Sequence, residues 1–421
     1  MLLLTAFQPR TLCADPPMLT VLHTFTPAGP DDMTPAHHAN SDGARPEAPL
    51  VQGRDGAFYG TTTEGGLNGT GSIFRVEANT AKFAVLHSFG PLAALFGNET
   101  NADGGRPSAA LVCVRDGMLY GVTAFGGSGG SGTVFRISPD GSNFSVLHSF
   151  EPKGEMFHNA GGASPIGLTL GPDQALYGVT ALGGTGRGLL FKLTTDGKFS
   201  VVHSFSNVDH EGNVNSDGSI PSAAVVFGPD HFLYGTTNIG GRYGGGVIYK
   251  ADAEGKRFAV LHEFQRNVKN NGAFPDGSLV FGTDGALYGV TRQGGSADHG
   301  TVYKISSGGT GFIFLHTFPA PPADRGDGSL TCGPLVFGSD GCIYGLSETG
   351  GSEGVGTTYK IGPKGTKFSI LHHFNMAEGG YSRAGLTCGM GDSLYGVSAN
   401  GGLNKTGTIF RIALPPPAPK R

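Results

Sequence analysis

The chain has 421 residues and a formal net charge of −4, with a sequence pI near 6.4. It therefore lacks the basic footprint of a nucleic-acid binder, and no apolar run reaches the length of a membrane span. Glycine at 74 residues and hydrophobic residues at 38% suit many short strands joined by tight turns and exclude a disordered chain.

Residues 1–18 precede the patterned part. Met1-Leu2-Leu3-Leu4-Thr5-Ala6-Phe7 has the look of the end of a signal-peptide core, although no basic start precedes it and Gln8-Pro9-Arg10 breaks the apolar run. Two readings fit: a truncated or mis-started secretion signal cleaved near Ala14, or an N-terminal tail. Residues 19–413 then form one repeating domain, and 414–421 are a Pro-rich tail.

The repeat is built around Leu-Tyr-Gly, then Gly-Gly, an aromatic-basic pair, and Leu-His-x-Phe. Its tyrosines are Tyr59, Tyr120, Tyr177, Tyr234, Tyr288, Tyr344 and Tyr395, spaced 51 to 61 residues apart. Copy five shows the strand content. Ser278-Leu279-Val280-Phe281 (strand a) meets an Asp284-Gly285 turn and Ala286–Thr291 (strand b); Thr301–Ile305 (c) and Phe312–Phe318 (d) come next. Four antiparallel strands in each of seven copies predict an all-β, seven-bladed β-propeller. The last copy stops at Phe410-Arg411-Ile412, and its missing Leu-His-x-Phe stands at the other end, as Leu22-His23-Thr24-Phe25. The N-terminal strand is thus expected to complete the last blade and close the ring.

Several recurrent residues read as scaffold. An Asp stands in every a-to-b turn: Asp55, Asp116, Asp173, Asp230, Asp284, Asp340 and Asp392; Asp bonds the backbone two residues on and closes a tight hairpin. The strand-d histidines His23, His87, His148, His203, His262, His316 and His372 alternate in phase with phenylalanines, so they are expected to pack and hydrogen-bond in the core. Spread one per blade, they do not converge on a metal. The basic residues of strand c, Arg75, Arg136, Lys192, Lys250, Lys304, Lys360 and Arg411, recur in the same way. So do hydroxyls three residues after each tyrosine, Thr62 to Ser398, which are expected to bond backbone at the start of the b-to-c turn. Cys13, Cys113, Cys332, Cys342 and Cys388 show no metal-ligand spacing and read as buried thiols.

On these Leu-Tyr-Gly, Gly-Gly, aromatic-Lys/Arg and Leu-His-x-Phe elements the chain resembles the GloVer tandem repeats of choice-of-anchor bacterial proteins, over about its whole length. The resemblance implies an exported or surface-attached protein with an anchoring segment after the repeats. Here Ala413–Arg421 contains no apolar anchor, which favours secretion into the periplasm or the extracellular space over surface attachment.

Alternating strand direction puts the b-to-c and d-to-a connections on one face, and these are the longer and more divergent loops. Variable loops on a rigid scaffold make that face the candidate site. Its departures from the repeat are Arg242 and Tyr243 in copy four, Arg292, Asp298 and His299 in copy five, Glu348 and Glu353 in copy six, and Arg187 in copy three; the entering connections add His158, Asp209, His210 and Glu211. One reaction that suits them is β-elimination in a uronic-acid polysaccharide, which needs a cation to neutralise the carboxylate, a base for the C5 proton and an acid for the leaving oxygen. Arg242 or Arg292 would neutralise, and His299 and Tyr243 would exchange the proton. Arg187, Glu348, Asp298, His210 and His158 would bind substrate. Glu348 with Glu353 as a glycosidase pair is weaker, because five residues in a glycine-rich loop fix no separation. A metal site from His37-His38 with Asp31-Asp32 is weaker still, since adjacent histidines in an extended segment point apart. No cofactor is expected, and a Ca²⁺ requirement is left open. The expected partner is a polysaccharide or cell-surface glycan bound by a monomer, and the competing class is a non-catalytic glycan- or protein-binding scaffold.

Overall fold

In a computed structural model of the chain, which describes residues 18–29, 39–93, 99–154, 159–185, 187–209, 214–266, 268, 271–320, 324–389 and 391–414, every repeat forms an antiparallel sheet. Seven such sheets make a seven-bladed β-propeller. Blade 5 consists of Gly272–Phe281, Ala286–Gly294, Thr301–Ser306 and Ile313–Thr317, in that spatial order. Blade 4 has its strand a split into Ser219–Pro221 and Val226–Phe227. The only helix among the described residues is the four-residue turn Asp324–Asp327, and no helix there is long and apolar enough to cross a membrane.

Strands b and c are buried on both faces because each blade is sandwiched between two others. The core is accordingly divided among inter-blade clusters, such as Tyr234, Ile248 and Phe264 of blade 4 against Leu287, Tyr303 and Ile305 of blade 5. The ring closes as the repeat pattern predicts. Met18–Thr24 pairs with Thr408–Ala413, with Thr20 opposite Arg411. Phe25, fully buried, donates its N–H to the Gly407 carbonyl at 3.2 Å and accepts from Asn404 and Thr406 at 2.8 Å.

Near the axis each blade begins with a residue held at positive φ: Arg45, Arg106, Ser164, Ile220, Phe274, Leu330 and Tyr381, all between 52° and 56°. Such a conformation in a non-glycine residue is costly, and the ring supplies a compensating bond. The amide of Arg106 donates to Thr70, Ser164 to Ser131, Ile220 to Arg187, Leu330 to His299 and Tyr381 to Val355, each at 2.8 or 2.9 Å and each to the preceding blade. The amide of Arg45 donates to Thr406 of the last blade at 2.9 Å.

The recurrent polar residues are scaffold. The hydroxyls of Tyr59, Tyr177, Tyr288 and Tyr344 donate at 2.9 Å to Asp55, Asp173, Asp284 and Asp340. Arg75, Lys192, Lys304 and Lys360 pair with those same carboxylates. In blade 7 the turn aspartate, Asp392, stands one residue nearer its tyrosine and adopts positive φ itself. Hydroxyls after strand b bond carbonyls two residues on, as in Thr291 to Gln293 at 2.8 Å and Ser398 to Asn400 at 3.0 Å.

Each strand-d histidine is half-buried, and six of the seven stack on a phenylalanine at the start of strand d of the next blade, as in His23 on Phe83 at 3.8 Å, His87 on Phe144 at 3.9 Å, and His262 on Phe312 and His316 on Phe368 at 3.7 Å; His372 faces the N-terminal strand, which opens on Met18. The polar partner of these histidines is a carboxylate in the next connection. His23, His87 and His203 meet Asp42, Asp103 and Asp217 at 2.9, 2.9 and 3.0 Å, and His372 meets Glu378 at 2.9 Å. The aspartates belong to an Asn-x-Asp-Gly signature at Asn40, Asn101 and Asn215. In blade 3 the signature reads Asn159-Ala160-Gly161-Gly162, and among the described residues no carboxylate bonds His148. The Nε2 of His262 also has no partner there.

Candidate functional site

The seven strands a surround a central channel of about 440 Å³. Four residues past the glycine that opens each blade's inner strand, one position of the repeat faces or borders this channel: Glu47, Ser108, Ile166, Ser222, Asp276, Cys332 and Arg383. The position is neutral in blades 2, 3 and 4 and ionisable in blades 5, 6, 7 and 1. Strand b contributes a second layer, one residue past the recurrent hydroxyl, and there blades 5 and 6 carry Arg292 and Glu348. Close backbone packing fixes these groups in place. A Cβ on Gly277 would stand 2.3 Å from the backbone of Gly333, and one on Gly333 would stand 2.6 Å from the Arg383 carbonyl. No side chain fits between those inner strands.

Glu348 is the centre of the arrangement. Its carboxylate, 8% exposed, accepts from Arg292 at 2.8 Å on one oxygen and from Arg383 on the other. Bonds to two guanidiniums offset its desolvation, and the trio keeps one net positive charge. Each guanidinium has five N–H donors, and among the described residues each donates a single hydrogen bond, to Glu348. Their side chains remain 33% and 48% exposed. Burial raises the Asp276 carboxyl above the usual range, against the pull of Arg292 and Arg383 and a 2.9 Å bond from the Gly277 amide. Burial raises Glu47 likewise, opposed by Arg45 and Arg383. Cys332 is fully desolvated, and its thiol is pushed up by burial and by Asp276 and Glu348.

Of the residues singled out in the sequence, the structure brings together Arg292 and Glu348. Among the described residues no hydrogen bond or ion pair links Arg292 to Arg242, Tyr243 or His299. Arg242, 75% exposed, lies 3.8 Å from Glu263 on its own blade, and Tyr243 is 44% exposed on the same loop. Asp298, at φ 63°, caps the Gly294 amide at 2.8 Å, so its carboxylate supports the loop. His299 stands next to it, half-buried, and gives its carbonyl to Leu330. Arg187 is exposed and gives its carbonyl to Ile220. Glu353 is exposed, unlike Glu348, so the two do not form a matched pair. His158, His210, Glu211, His37, His38, Asp31 and Asp32 lie outside the described residues. Sequence reasoning missed Arg383, Asp276 and Glu47; aligning the seven copies on the opening glycine displays all three as departures at one position.

The four described cysteines are free, with Cys332 buried and Cys113, Cys342 and Cys388 half-buried. Among the described residues no three His, Cys, Asp or Glu side chains gather to hold a metal ion.

Seven circularly joined blades around a charged axial channel define the class of protein. The chain belongs to the Gloeobacter/Verrucomicrobia repeat family, whose model matches residues 19–216, 154–333 and 282–416. No curated protein matches the chain. Among solved structures it is similar to a streptogramin B lyase (16% identity, TM-score 0.59, covering 95% of this chain and 98% of that one). It is also similar to a catalytically inactive virginiamycin B lyase from Staphylococcus aureus with quinupristin (14%, 0.56, 89% and 97%), and to an oligogalacturonate lyase from Vibrio parahaemolyticus (10%, 0.56, 94% and 94%). At these identities the likeness establishes the propeller fold.

Proposed function

We propose that this is an exported propeller that binds a carboxylate-bearing saccharide of an extracellular polysaccharide, in the channel where Arg292 and Arg383 stand. The observation that carries the reading is that two half-exposed guanidiniums share one buried carboxylate, Glu348. Glu348 holds them in place and leaves one positive charge and most of their donors for an incoming anion, the planar fork that suits a carboxylate. Pre-organised cations lose little entropy on binding. Burial acts in the same direction, because it disfavours the charged forms of Asp276 and Glu47, which would compete for the guanidiniums.

A second reading adds β-elimination at this site. A guanidinium that neutralises a uronate carboxylate acidifies the adjacent C5 proton, and Asp276, which lines the channel, is a titratable group under the influence of both arginines. In this reading proton exchange falls to Asp276; among the described residues no hydrogen bond or ion pair joins His299 or Tyr243 to the arginine pair. The likeness in fold to an oligogalacturonate lyase is an analogy only. The experiment is calorimetric titration with uronic-acid oligosaccharides and their methyl esters, with ultraviolet absorbance monitored for unsaturated uronyl products. Binding of the acids and not of the esters supports the carboxylate reading, and a rise in absorbance adds the reaction. Equal binding of acid and ester overturns it.

A further inference from the structure

We propose that the channel takes the terminal sugar of an acidic chain end-on and excludes internal segments; this rests on the carboxylate reading above. The inner strands of all seven blades line the cavity, and the ring is closed covalently around it except at one seam, where the N-terminal strand pairs with the last blade. Inner strands from every blade stand around the cavity, so a sugar that reaches into it comes along the axis. A linear chain has to enter along the axis, terminus first.

The volume and the walls agree. About 440 Å³ is the size of a small-molecule pocket, too small for a long segment. Blades 5 and 7 carry Arg292, Asp276 and Arg383 on the wall, and blades 2 to 4 present small and largely apolar residues, with Ala110, Ala223 and Ala224. A pyranose with one carboxylate has the matching asymmetry: a charged edge to meet the guanidiniums and a C–H face to lie against alanines. The packing of Gly277 on Gly333 keeps the wall between the charged groups free of side chains, so the sugar approaches backbone there.

The experiment is calorimetric titration of the full chain with a uronic-acid oligosaccharide series of increasing length, on the wild type and on Ala223→Leu and Arg383→Ala. Ala223 is half-exposed on the channel wall, so leucine narrows the lumen without entering the inter-blade core; thermal melts check that both variants fold. End-on binding predicts one chain per protein at every length, so that at equal mass of glycan the number of titrated sites rises in proportion to the number of chain ends. It also predicts that Ala223→Leu weakens binding at least tenfold, about 1.4 kcal/mol. If sites scale with total mass of sugar, or Ala223→Leu binds as the wild type while Arg383→Ala does not, the end-on proposal is overturned and the carboxylate reading survives. If no oligosaccharide of any length binds, the carboxylate reading falls and the end-on proposal falls with it.

Discussion

Arg292 of blade 5 reaches Glu348 of blade 6 at 2.8 Å. The two residues occupy the same repeat position on strand b of neighbouring blades, so the opposed charges meet because consecutive blades are adjacent in space. Arg383 joins them from blade 7, and three consecutive blades are tied at the axis by one carboxylate.

Removing that carboxylate should cost stability as well as ligand affinity. Glu348→Gln leaves two guanidiniums without their counter-charge in a partly desolvated place. Breaking a buried ion pair costs about 3–5 kcal/mol, and solvent access to the arginines reduces this to roughly 2–4 kcal/mol. Denaturant unfolding measures it; a loss below about 0.5 kcal/mol, the scale of an ordinary surface change, would show that the trio holds nothing together.

Blade 3 should accept a repair. Gly161 stands where Asp42 and Asp217 stand in their blades, its φ is not positive, and an added Cβ meets nothing within 4 Å. Gly161→Asp should give His148 the carboxylate it lacks and add about 1 kcal/mol. Burial now holds the His148 imidazole below its ordinary pKa, and a proton-NMR titration should show that pKa rise in the variant.

Acid should loosen the ring through the connection aspartates. Burial alone would raise Asp42 and Asp217, but bonds from His23 and Thr26, and from His203 and Ser206, outweigh it and hold both below the usual range. A carboxyl depressed in the folded state contributes stability that is complete above its unfolded value, about 3.9, and is lost as pH falls through the folded value. The melting temperature should therefore drop steeply below about pH 4. Asp217→Asn should flatten that drop while lowering the neutral melting temperature, and an unchanged acid limb would count against the pairs.

Base should act through the tyrosines of strand b. Burial lifts Tyr59 to about 12, with Arg75 pulling down and Asp55 adding to the rise. A phenol raised in the folded state contributes stability that is whole below its unfolded value, about 10, and is lost as pH rises through the folded one. Spectrophotometric titration should show phenolate appearing together with unfolding above that range. Full ionisation of Tyr59 near pH 10 in a folded protein would contradict the Asp55 contact.

The blades were legible because the hydrophobic pattern, the Asp turns and the glycines all point to one four-stranded unit, and a displaced Leu-His-x-Phe at the start of the chain has a place to go only in a closed ring. The scaffold role of His23 and its counterparts came from their phase with phenylalanine, yet their carboxylate partners went unread, since Asp42 and Asp217 lie in connections of unequal length. The site was legible in half. Arg292 and Glu348 stand beside recurrent hydroxyls and were visible as departures, whereas Arg383 and Asp276 sit just past a positive-φ residue on strand a, whose pattern is too short and irregular to reveal which side chains face the axis. Arg242 and Tyr243 stand out as unusual loop residues; they are exposed there and are not among the residues that line the channel.

Binding of a carboxylate at the arginine pair is tested most directly by the affinity of a uronic-acid oligosaccharide for wild type, Arg383→Ala and Arg242→Ala, each shown to be folded. At least a tenfold loss, about 1.4 kcal/mol, is predicted for Arg383→Ala, and wild-type affinity for Arg242→Ala. Wild-type affinity for Arg383→Ala, or a loss confined to Arg242→Ala, would contradict that binding mode and move the site to the outer loop of blade 4.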